Sequence, residues 1–155
     1  MQEHSVHMQD LMPVFQETLA QGKTIRFSPR GVSMLPMLRQ GIDTVTLSPV
    51  SGKLKKYDIP LYKRDDGTYI LHRILKVEQT YTCIGDNQYL YEPGVRDDQI
   101  IAVVTEFTRG QKQLSVNHAC YRLYVRFWCG TRPIRWFMIR AIRKIIRILK
   151  KPFRI

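Results

Sequence analysis

The sequence predicts a mainly β protein: a folded-over antiparallel sheet or small β-barrel core, with a short N-terminal helix and a basic amphipathic helical C-terminal region. Three patterns point there. Residues 23–107 break into short runs rich in β-branched and aromatic side chains, separated by Gly, Pro, Asp and Asn. Apolar residues before Gly22 and beyond residue 115 recur at three and four instead, the helical period. The charge divides unevenly: residues 107–155 carry 13 Lys and Arg and no acid, whereas every acid lies in residues 1–106.

Residues 5–21 read as the first helix. Val6, Leu11, Met12, Val14, Phe15 and Leu19 fall mostly on one face, Gly22 ends it, and Pro13 inside the pattern allows either one helix or two shorter pieces. Strands follow over 23–28, 44–47, 59–63, 68–77, 81–84 and 100–107. Asp65-Asp66-Gly67, between two of these runs, is a hairpin signal, because Asp and Gly tolerate the backbone angles of a tight turn. Several short strands at such spacing suit a small barrel or folded sheet. After Gly110 the composition shifts, and residues 115–155 read as helical. Between Ile134 and Lys151, the basic residues Arg140, Arg143, Lys144, Arg147, Lys150 and Lys151 gather on one face. Met138, Ala141, Ile142, Ile145, Ile146 and Leu149 take the other, with Pro152 ending the run. The expected division is therefore 1–22 as helix, 23–110 as β core and 111–155 as basic tail.

With 155 residues, the chain is long enough to bury a core. The three cysteines, Cys83, Cys120 and Cys129, are odd in number and lack Cys-x-x-Cys spacing, which argues against a disulfide framework or a structural zinc site. The histidines show no metal-ligand spacing either, so no cofactor or metal is expected. Met1–Asp10 is polar where a secretory signal would be apolar, and no stretch reaches the roughly 20 apolar residues needed to span a bilayer. The net charge of +12 calls for an anionic partner. An anionic membrane surface is favoured over nucleic acid, because the isoleucine-rich face suits acyl chains and a phosphate backbone needs no apolar partner.

Chemistry concentrates in Gly31-Val32-Ser33-Met34-Leu35-Pro36, Leu71-His72-Arg73-Ile74 and Gly85-Asp86-Asn87. A serine hydroxyl is a poor nucleophile until a base takes its proton, and the base works best when a third group orients it. Ser33 before its Met-x-Pro turn, His72 39 residues on and Asp86 14 residues later supply those three residue types in order. Arg73 alternates to the opposite strand face from His72 and reads as structural. Lys76 lies roughly 13 Å along a strand, too far to substitute as base.

In this order and at these separations, the three segments resemble the type I signal peptidase family, part of a larger group of serine peptidases that includes the self-cleaving repressors. The resemblance covers about half the chain, from Ile25 to Phe107. It implies Ser33 as nucleophile, with its backbone N–H in the oxyanion hole, and His72 as general base. A histidine base is similar to the endoplasmic-reticulum and archaeal form; common bacterial members use lysine. Two departures stand out. Family members often carry an oxyanion-hole hydroxyl two residues before the nucleophile, a donor worth about 3–4 kcal/mol in the transition state, where this chain has Gly31. The orienting acid is open among Asp86, Glu92 and Asp98, with Asp86 slightly favoured.

Family members usually begin with membrane-spanning helices, and none is expected here, so the catalytic core is expected to stay on the cytoplasmic side as a peripheral membrane protein. The expected activity is a serine endopeptidase that removes a leader or signal peptide, small residues of Ala-x-Ala type preceding the cut. Two other functions fit the same residues: a non-catalytic leader-binding module, and a regulator akin to the self-cleaving repressors.

Overall fold

The computed structural model describes residues 8–149, apart from the side chains of Ile139 and residues 142–149. Among the described residues the fold is mainly β, with two antiparallel sheets and three helices. The sheets do not close into a barrel. The chain divides into two units, Met1–His118 and Ala119–Ile155.

In the first unit, α1 (Met8–Ala20) begins the described chain, with Pro13 inside it and Met12, Phe15 and Leu19 buried. Phe15 meets Phe27 edge-on at 5.5 Å. The large sheet runs β1 (Ile25–Phe27), β2 (Val45–Ser48), β8 (Ile100–Arg109), β3 (Pro60–Lys63), β4 (Tyr69–Leu71). β9 (Lys112–Ser115) also pairs with β8. Ten residues long, β8 serves three partners through different segments: Val103–Phe107 pairs with β2, Ile100–Val103 with β3, and Glu106–Arg109 with β9. The expected Asp65-Asp66-Gly67 hairpin joins β3 to β4. Gly67 adopts φ +87°, and Asp66 Oδ1 accepts from the Thr68 N–H and hydroxyl.

The small sheet is β5 (Arg73–Val77), β6 (Tyr81–Ile84) and β7 (Glu92–Val95). Tyr62 of the large sheet packs with Ile74, Tyr81, Cys83 and Val95 of the small one. Burying these large side chains holds the sheets face to face; each full burial contributes about 1.5–3 kcal/mol.

Three sequence expectations change. The run 68–77 is two strands: β4 belongs to the large sheet and β5 to the small one, and the chain crosses between them at His72. Continuous apolar character hid the break because both pieces are half or fully buried. β7 and β9 were not expected; Pro93 and Gly94 in one, Lys112 and Gln113 in the other, depress strand character locally. The tail is helical from Ala119, as α2 (Ala119–Gly130) and α3 (Arg132–Leu149), and the preceding residues through His118 belong with the β unit.

In the second unit, Trp128 stacks on Tyr124 at 6.0 Å, and the Arg135 guanidinium lies 3.4 Å from the Trp128 ring centre. Arg135 also donates to the Trp128 carbonyl at 2.6 Å. Among the described residues no helix is long and apolar enough to cross a membrane.

Candidate active site

Ser33 and His72 both line one cleft of ≈ 130 Å³. Phe27, Pro29, Met34, Leu38, Leu61 and Leu71 give its wall apolar character, and Arg30 adds a cation. Residues of β1 and β4, the two ends of the large sheet's strand path, reach the same cleft, so the sheet curls around it. Ser33 sits half-buried in the turn region after β1, followed by buried Met34, Met37 and Leu38 and a cis Leu35–Pro36 peptide bond.

The Gly85-Asp86-Asn87 turn is built onto this serine segment. Asn87 N–H donates to the Ser33 carbonyl at 2.8 Å, and Asn87 Nδ2 donates to the Val32 carbonyl at 3.2 Å. Gly85 packs so closely that a Cβ there would lie 2.7 Å from the Ser33 carbonyl oxygen. Only hydrogen on that Cα lets the two backbones approach.

Asp86 faces Arg73. The guanidinium donates from Nε at 2.8 Å and from Nη2 at 2.6 Å to the two carboxylate oxygens, and both residues are buried. Arg73 also donates to the Tyr57 carbonyl at 3.1 Å and lies 2.9 Å from Met37 Sδ. The pair thus ties β5 and the turn after β6 to the segment carrying Ser33. Such two-point pairing orients as well as attracts.

Glu92, of the three candidate acids, is the one the geometry sets beside His72, 3.5 Å from its Nδ1. The Tyr62 hydroxyl lies 3.4 Å from the same nitrogen and donates to Glu92 at 2.7 Å. Arg64 grips the Glu92 carboxylate with two hydrogen bonds, at 2.5 and 2.6 Å. Asp98 is exposed and pairs with Arg96 at 3.1 Å. Sequence reasoning slightly preferred Asp86; its carboxylate is engaged by Arg73 instead. Glu92 came into view only as a residue after Gly-Asp-Asn, because its approach to His72 depends on β7, which the sequence hid. Tyr62 and Arg64 were missed altogether: nothing in the run Leu61-Tyr62-Lys63-Arg64 marks them as partners of a residue across the sheets.

Burial holds the His72 imidazole below the usual histidine range, against the upward pull of the Glu92 carboxylate. Asp86 adds only the last and smallest of the upward pulls. Desolvation pushes Glu92 up, but hydrogen bonds from Arg64 and Tyr62 overcome it and leave the carboxyl below its ordinary value. At neutral pH the arrangement is therefore a neutral imidazole beside an ionised carboxylate. Burial raises the Tyr62 hydroxyl, with Glu92 adding to it, so Tyr62 stays a donor. Burial also pushes the Cys83 thiol up to about 12, so it stays a neutral thiol at neutral pH.

Gly31 lines the cleft with φ +95° and donates its N–H to Gln40 Oε1 at 3.0 Å. With no side chain, it offers no hydroxyl at the position where the peptidase resemblance calls for one. Lys76 is exposed, on the far side of a register shift from Ile74. Among the described residues no group of three His, Cys, Asp or Glu could hold a metal.

Of the basic residues expected to meet a membrane, Arg140 is exposed. Arg143, Lys144 and Arg147 fall where only the backbone is described, on α3, and Lys150 and Lys151 lie outside the described residues. Comparison of the chain with protein-family models, with curated proteins and with solved structures gave no match.

Proposed function

We propose that the protein is a serine endopeptidase of signal-peptidase type that cleaves a leader or signal peptide with Ser33 as nucleophile and His72 as general base. The observation that supports this reading is the shared cleft: two residues 39 apart in sequence both line it, with a carboxylate 3.5 Å from the histidine. With Tyr62 donating to Glu92, the His72 proton is assigned to Nδ1, which leaves Nε2 as the basic atom. His72 removes the Ser33 proton as Oγ attacks the scissile carbonyl, then returns it to the leaving amine. Glu92, held by Arg64 and Tyr62, orients the ring and stabilises the imidazolium that forms. The Ser33 backbone N–H is the assigned oxyanion donor.

An extended peptide suits the site, because β4 pairs only with β3 among the described residues and its residues line the cleft. A strand added there would gain backbone hydrogen bonds while its alternate side chains enter the apolar wall. The basic C-terminal segment would keep the enzyme at an anionic membrane surface, on the cytoplasmic side.

The test is labelling by a serine-directed acylating probe, then cleavage of leader peptides. Labelling should need both Ser33 and His72. Leader cleavage by folded Ser33→Ala at the wild-type rate would falsify the assignment. A second reading, a leader-binding module without chemistry, draws on the side-chain-free Gly31. Folded protein that binds leader peptide yet takes up no probe would establish it.

A further inference from the structure

We infer that the α2–α3 unit is an in-plane anchor for an anionic lipid surface, in which exposed apolar side chains of both helices enter the headgroup–acyl boundary. The inference rests on the membrane-surface half of the proposed function and is independent of the peptidase half. It adds exposed apolar residues of both helices, and Arg122 and Arg126 of α2, to the basic face visible in the sequence.

Leu123 and Phe127, one turn apart on α2, are 70% and 69% exposed. On α3, Ile134, Phe137 and Met138 are 62%, 70% and 54% exposed, at the three-and-four spacing that makes a continuous stripe. Each helix thus leaves large apolar side chains in water. A protein interior would ordinarily have absorbed them, and contiguous exposed apolar surface marks an interaction site. Exposed Arg122, Arg126 and Arg140 lie on the same helices. Arg140 sits 5.0 Å from the ring centre of Trp136, itself an amphipathic residue suited to the headgroup level.

Charge decides the occupant. Residues 107–155 hold 13 basic residues and no acid, so a second copy of this surface would bring its own repulsion. Nucleic acid would satisfy the arginines and leave Phe127 and Phe137 idle in water. A bilayer with anionic headgroups satisfies both: arginine stems lie along the apolar stripe while their guanidinium groups reach the headgroups.

The test uses the full chain with Ser33→Ala, so that its result stands whatever Ser33 does. It is mixed with phosphatidylcholine vesicles with and without phosphatidylglycerol, and followed by co-sedimentation. Binding should require phosphatidylglycerol and weaken with salt. Phe127→Ser with Phe137→Ser should lower partitioning by at least about tenfold. Arg122→Gln with Arg126→Gln and Arg140→Gln should reduce the dependence on phosphatidylglycerol. Circular dichroism and thermal melts establish that each variant is folded; Phe127→Leu with Phe137→Leu, should the serine pair fail to fold, is expected to retain binding. The inference is overturned if folded protein ignores the vesicles, or if the serine pair binds them unchanged. Duplex DNA binding in place of vesicle binding would also overturn it, as would a dimer that the serine pair dissociates.

Discussion

Replacing Asp86 with Asn removes one charge from a pair in which Arg73 is 0% and Asp86 2% exposed. The shape of the side chain survives, but Nδ2 now turns N–H groups toward a guanidinium that only donates. Removing one partner of a buried pair typically costs about 3–5 kcal/mol, because the remaining charge stays in a poorly solvating interior. The Tyr57 carbonyl at 3.1 Å and Met37 Sδ at 2.9 Å still face Arg73 and supply part of the lost solvation. The expected loss is therefore at the lower end, about 3 kcal/mol. For a chain of this size, about 2–4 °C per kcal/mol places the melting midpoint roughly 6–12 °C lower. Denaturant and thermal unfolding read that loss directly. Adding Arg73→Met to Asp86→Asn should recover most of it, since neither buried charge then remains. Probe labelling of Ser33, measured well below the midpoint, should survive in the Asn variant because Glu92 is the carboxylate beside His72. The reasoning fails if Asp86→Asn costs less than about 1 kcal/mol while abolishing labelling of folded protein. That pattern would return the orienting role to Asp86.

Glu92→Gln is the complementary change and should act on rate: kcat is expected to fall by about 10²–10³, less than the loss known for a fully buried triad acid because the Glu92 side chain is 23% exposed to water. Its pH profile carries the sign. The base works when neutral, so kcat/KM rises as pH passes His72, below the ordinary value of about 6.5 in the wild type. Glu92 pulls His72 up and Arg64 pulls it down, so the Gln variant's limb should move to lower pH; an unmoved or raised limb refutes the assignment. At Gly85, an alanine Cβ would lie 2.7 Å from the Ser33 carbonyl, and the two segments must separate. Gly85→Ala should cost about 1–3 kcal/mol in stability and slow Ser33 labelling, and labelling at the full rate would show that the serine segment does not depend on that contact.

The sequence by itself determined which residue types the molecule has to offer and most of the local elements. Hydrophobic period located α1, β1–β3, β6 and β8, and turn chemistry located the Asp66-Gly67 hairpin, because these depend on residues adjacent in the chain. The division of charge at residue 107 is likewise a property of the sequence alone. The break at His72 was decided by pairing: Leu71 bonds toward β3 and Arg73 toward β6, and nothing local distinguishes a ten-residue strand from two strands that change sheets. The partners of the carboxylates were decided the same way. Asp86, Glu92 and Asp98 are alike as isolated groups. What separates them is that a buried guanidinium takes the first, that β7 carries the second to His72 Nδ1, and that the third stays with Arg96 in solvent. Charge interactions depend on distance and burial, and both are fixed only when residues remote in sequence are packed together.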